Sequence, residues 1–192
     1  KELIIINLTI KQKILGGFGI VLALMIMMGS ISFYLIEQIE NLNLEAESLM
    51  TKHIEVLERE VDHLEWVNNL GDVILHQEDF SGELDPTQCA FGKDYYKLLN
   101  SDEFKSLPAD VKETLKSIEQ PHQELHHSAE RIMEVKNQFR VKQGQGYEQA
   151  LEIYNNQTQE SLKKVQSKFK EYQKYLVAEE EKSILLAKEK AN

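Results

Sequence analysis

The sequence predicts an all-α protein, with one transmembrane helix continuing into an extracytoplasmic antiparallel four-helix bundle. Three observations lead to that expectation. Nine Gly and three Pro in 192 residues are too few turn formers for a β-fold of this length. From Ile14 to Ile36 the chain carries no charge; as a helix that is about 35 Å, enough for a hydrocarbon core of about 30 Å. Beyond it, apolar residues recur in steps of three and four, as in helices that each turn one face to a neighbour.

Charge and cysteine content narrow the function. Lys and Arg total 22 against 32 Asp and Glu, a net charge of −10, which is the wrong sign for a nucleic-acid partner. One cysteine rules out an internal disulfide framework and any multi-cysteine cluster.

Residues 1–13 are read as a cytoplasmic N-terminus, residues 14–36 as the transmembrane helix, and residues 37–192 as the extracytoplasmic domain. Lys11 and Lys13 precede the span, and Glu37, Glu40, Glu45 and Glu47 follow it, so the positive-inside bias sets this orientation. Gly16, Gly17, Gly19 and Gly29 suit close contact between membrane helices. The stretch is longer than the apolar region of a signal peptide, and no small-residue cleavage site follows it. The chain begins with Lys rather than Met. It is read as a fragment of a longer membrane protein, with a second span expected beyond Asn192.

The first helix does not stop at the membrane. Its seam runs through Ile39, Leu42, Ala46, Leu49, His53, Val56, Glu60, His63, Val67, Leu70 and Ile74, predicting a helix to about His76. Gln77–Thr87, with Ser, Gly, Asp and Pro, reads as a loop, and a short helix is expected over Thr87–Leu99. A third helix starts near Pro108 and carries Val111, Leu115, Ile118, His122, Leu125, Ala129 and Ile132 on one face; Pro121 should kink it just before His122. Gly144 and Gly146 are expected to end it. In the last long helix, Tyr147, Leu151, Tyr154, Thr158, Leu162, Val165, Phe169, Tyr172 and Leu176 point inward.

Polar residues interrupt the first seam at His53, Glu60 and His63. A single such residue is ordinarily satisfied in a partly wet layer of a bundle. His63 stands apart because the third helix carries His122 on its inward face and His126 one turn later, on the same side; His127 lies about 100° away and should face water. H-x3-H supplies two ligands to a tetrahedral zinc, His63 a third, and the lone thiol, Cys89, a fourth. His53 and His76 form either a second polar layer, a pH-sensitive contact or nothing specific.

HLEW at His63–Trp66, CAFGKDYY at Cys89–Tyr96 and PHQELHHSAERI at Pro121–Ile132 resemble the chemoreceptor zinc-binding (CZB) domain over residues 62–132. The resemblance implies one zinc held by His63, Cys89, His122 and His126, with Trp66 packed beside the site. Asp94 stands where that family usually has Trp, a change to packing or outer hydrogen bonding that removes no ligand. The opening LTIKQKILGGFGIVLALMIMMGSISFYLIEQI looks like the first membrane segment of methyl-accepting chemotaxis proteins. That likeness implies a homodimeric receptor in the bacterial inner membrane, residues 37–192 being its sensory domain, periplasmic in a Gram-negative cell, with a small-molecule or metal ligand of unknown identity. Many members of the zinc-binding family carry the motif in the cytoplasm.

Signalling would be a helix displacement passed across the membrane. Zinc is then the ligand, a redox switch released by oxidation of Cys89, or a structural staple while another molecule is sensed. The alternative is a sensor for a zinc-regulated diguanylate cyclase or histidine kinase. Catalysis within the chain is not expected, because four protein ligands leave no open position and the Glu of H-E-x-x-H is missing.

Overall fold

The computed structural model describes residues 9–136 and 145–191, and they contain helices and no strand. α1 runs from Ile10 to Leu75 as a single helix of 66 residues. It opens on a reciprocal cap: the Gln12 N–H donates to Thr9 Oγ1, and Thr9 N–H donates to Gln12 Oε1 at 3.0 Å. No proline interrupts it. It ends with the His76 N–H still donating to the Asp72 carbonyl at 2.8 Å, just before Gln77 takes a left-handed conformation, φ 62°, that stops the helical run.

Six more α-helices and one π turn follow among the described residues: α2 (Ala90–Leu99), α3 (Asp102–Ser106), α4 (Ala109–Lys116), α5 (Glu119–Lys136), α6 (Gln145–Ile153), a π turn (Tyr154–Thr158) and α7 (Gln159–Ala191). Several boundaries differ from expectation, each for a local reason. The short helix begins at Ala90 rather than Thr87, because Asp85 Oδ1 accepts the Thr87 N–H at 2.8 Å and turns the chain first. α3 was not anticipated, although Ser101 caps it by accepting the Phe104 N–H at 3.1 Å.

The third helix is broken at Ser117–Ile118, four residues before Pro121 rather than beside it. Proline lacks the N–H that would reach the carbonyl four back, and its ring crowds that carbonyl. Pro121 therefore sits in the first turn of α5. Gly146 lies inside α6, not at a break; Gly144 is outside the described residues. The expected last helix is α6 and α7 joined by the π turn. The two successive steps of four in the inward set, Tyr154–Thr158–Leu162, span that turn, where one extra residue is accommodated.

The chain divides into two units. In Lys1–Glu47 with Glu180–Asn192, Ala46, Ser183 and Ala187 are buried, Lys190 Nζ reaches Gln38 Oε1 at 3.2 Å, and the uncharged segment of α1 stands exposed, Phe18 at 76%. By length and composition that segment is apolar enough to cross a membrane.

The other unit, Ser48–Glu179, holds the main core. Phe91, Tyr95, Phe104, Val111, Leu115 and Ile118 pack with Val165, Phe169, Tyr172 and Leu176 of α7, while Leu70 and Ile74 pack with Ala129, Ile132 and Ala150. Glu60 is tolerated on the seam because Gln166 and Gln173 each donate to its carboxylate at 3.4 Å. His53 is half-buried, and His76 is exposed with Asp72 at 3.8 Å, so the two share no polar layer.

Candidate metal centre

Four side chains from three elements converge in the second unit. His63 comes from α1, Cys89 caps α2, and His122 and His126 lie one turn apart on α5. Their ligand atoms all lie within 4.8 Å of one another, and Cys89 Sγ is 3.4 Å from His122 Nε2. The three histidines are buried, and Cys89 is half-buried. His127 is exposed.

Backbone carbonyls orient two of the rings. His63 Nδ1 lies 2.6 Å from the Arg59 carbonyl, and His126 Nδ1 lies 3.1 Å from that of Leu84. Donation from Nδ1 leaves the Nε2 lone pair free. The Nε2 atoms of His63 and His126 are indeed buried with no hydrogen-bond partner, an expensive arrangement for a polar atom unless something else is bound there. Burial lowers the pKa of all three histidines, and neighbouring imidazoles add to it at His122, which falls to about 2, and at His126, which falls to about 4, so they stand neutral, as metal ligands must. Burial raises the Cys89 thiol pKa, opposed by the Gly92 and Phe91 backbone N–H groups.

The donor set suits zinc: three buried imidazoles and one half-buried thiol, with Nε2 lone pairs on His63 and His126 that have no other partner. His63, Cys89, His122 and His126 would hold it. A bound zinc would supply a positive charge that stabilises the Cys89 thiolate.

The loop before α2 completes the pocket. Trp66 Nε1 donates to the Glu83 carbonyl at 2.9 Å, and its ring lies 4.8 Å from that of His126. A Cβ on Gly82 would come within 2.6 Å of Trp66 Nε1. Asp94 is exposed, with Oδ2 3.6 Å from Arg59 Nε, so it stands beside the residue whose carbonyl holds His63. The Cys89 sulfur also accepts the Gly92 N–H at 3.1 Å, capping α2. Gly92 admits no side chain, because a Cβ there would lie 1.9 Å from the Pro86 carbonyl oxygen. Sequence reasoning missed the Arg59 and Leu84 carbonyls, since a backbone acceptor has no residue signature. Phe91, edge-on to His122 at 4.8 Å, read only as part of a motif.

The family model described as the chemoreceptor zinc-binding domain matches residues 63–133, a segment that contains all four side chains. Neither the curated proteins nor the solved structures give a match.

Proposed function

We propose that the chain is the zinc-binding sensory part of a transmembrane chemoreceptor of the methyl-accepting type. It would hold one zinc through His63, Cys89, His122 and His126, and pass a ligand, metal or redox signal to the membrane by helix displacement. The observation that carries this reading is α1 itself: the helix that bears His63 is the helix that bears the uncharged stretch Ile14–Ile36. A change in metal occupancy that shifts His63 acts on that helix directly. The family match supports zinc and is compatible with chemotaxis. The extracytoplasmic placement of residues 37–192 is supported by charge: Lys11 and Lys13 precede the apolar stretch, and four glutamates follow it within Glu37–Glu47. Catalysis is not part of the proposal, since four protein ligands would fill a tetrahedral zinc and leave no open position.

We further propose that the receptor is a homodimer joined along α1. Met50, Ile54, Leu57, Val61 and Leu64 step by four and three on a face distinct from the buried seam, and all five are exposed. That spacing is the a/d pattern of a coiled coil.

Two measurements test the proposal. Elemental analysis of the detergent-solubilised chain should find about one zinc per chain, lost in Cys89→Ala and kept in His127→Ala; no zinc after resupply would refute the metal reading. A phosphatase active only outside the cytoplasm, fused after residue 192, should be active in bacterial cells. An inactive phosphatase, with a fluorescent fusion at the same point folding inside, would reverse the orientation.

A further inference from the structure

Next to the metal centre, the second unit contains a cavity of about 170 Å³. Its floor is apolar: Phe91, Tyr95, Leu115, Ile118, Phe169 and Tyr172 line it, and all are buried. The Tyr95 hydroxyl is already satisfied, donating to the Leu115 carbonyl at 3.0 Å. Such a floor lacks the two to four partners that an ordered water needs, and an apolar cavity of roughly 150 Å³ accepts a benzene-sized ring.

The rim is charged. Lys52 Nζ sits 2.5 Å from Glu103 Oε1, and Arg59 Nη1 sits 2.5 Å from Asp62 Oδ2. Both cations are thus offset, and Glu55 and Asp94, also on the rim, leave it with an excess of negative charge. A carboxylate ligand would be repelled. One donor, however, is unanswered: Arg59 lines the cavity, and its Nε is buried with no hydrogen-bond acceptor. Asp94 at 3.6 Å pairs with the charge but is too far to accept the Nε hydrogen, and a buried N–H left without an acceptor is costly.

We infer that this cavity binds a small uncharged organic molecule with a ring-sized apolar body and one acceptor oxygen that takes the Arg59 Nε hydrogen, and that its occupancy is coupled to the metal centre. Two residues make the coupling. The Arg59 carbonyl holds His63 Nδ1, and the Phe91 ring packs on His63 and His122 at 5.7 and 4.8 Å between centroids. A ligand that moves either residue changes zinc affinity, and zinc must change the ligand's affinity by the same factor. The coupling rests on the zinc reading above; the cavity's chemistry does not.

The test is a titration of the full chain with benzamide, zinc-loaded and chelator-stripped, followed by ligand-observed NMR. Saturable binding with a dissociation constant on the order of 1 mM is expected for so small a ligand. Benzoate, repelled by the rim, should bind about tenfold more weakly or worse. Arg59→Lys keeps the charge and the backbone carbonyl but removes Nε, and should cost about tenfold. Val56→Trp, on the cavity wall, should abolish binding while zinc content stays unchanged. The two metal states should differ by at least about threefold.

Absence of saturation in the wild type, or saturation that survives both substitutions, overturns the site. Equal affinity in the two metal states overturns the coupling. Should the wild type take up no zinc at all, the metal reading fails on its own, and the benzamide titration still decides the cavity.

Discussion

At Cys89 and its three histidine neighbours, burial acts in opposite directions. It raises the thiol pKa and lowers those of the imidazoles, so near neutral pH the metal-free site holds one removable proton, on sulfur. Zinc uptake at pH 7 should therefore release about one proton per metal, whereas Cys89→Ala, which loses the metal, should show neither uptake nor proton release. Calorimetry in buffers of different ionisation enthalpy measures both values. A release near zero in the wild type would mean that the thiolate is preformed. The histidines also set an acid limit for the metal-free protein. Their folded pKa values lie below the unfolded value near 6.5, so the folded state binds fewer protons. Stability is then complete above about pH 6.5 and falls as the pH drops towards the value of about 4 at His126 and about 2 at His122. Denaturant midpoints of the stripped chain at pH 7.5 and pH 5 should show that loss.

Among the elements, α1 makes the most direct prediction. Replacing Leu57 and Val61 by Lys on its exposed seam should turn a dimer into a monomer by light scattering, with zinc content unaffected; a dimer that survives would place the interface elsewhere. The π turn makes another. Ser128 Oγ and Thr158 Oγ1 lie 2.7 Å apart, both fully buried, and Ser128 also donates to the Leu125 carbonyl. Thr158→Val should cost about 1 kcal/mol, and the double change with Ser128→Ala less than the two single losses added together, as a denaturant double-mutant cycle would show. Legibility in the sequence followed the same physics. α1 was readable because its seam keeps register from Ile39 to Ile74, every member at least half-buried. The Ser117–Ile118 break was misplaced because a proline acts on the carbonyl four residues back. The π turn shows in sequence only as one more step of four. The four side chains of the metal centre were legible as residue types at a spacing, whereas the carbonyls that orient them were not.

For the whole molecule, metal and fold are linked through mass action. Zinc at a thousandfold excess over its dissociation constant should stabilise the chain by about 4 kcal/mol. A chelator should lower the unfolding midpoint of the wild type but hardly move that of Cys89→Ala. The glycines divide the chain differently. Gly16, Gly17, Gly19 and Gly29 have nothing within 4 Å of an added Cβ, whereas Gly92 has the Pro86 oxygen at 1.9 Å. Gly92→Ala should therefore cost about 3 kcal/mol or more, measurable in denaturant. For the gene, every missense change at the Gly92 codon installs a β-carbon, so all belong to one allele class. Lesions at the histidine codons that leave a weakened site should be suppressed by zinc-rich medium, and no supplement should rescue an allele of Gly92.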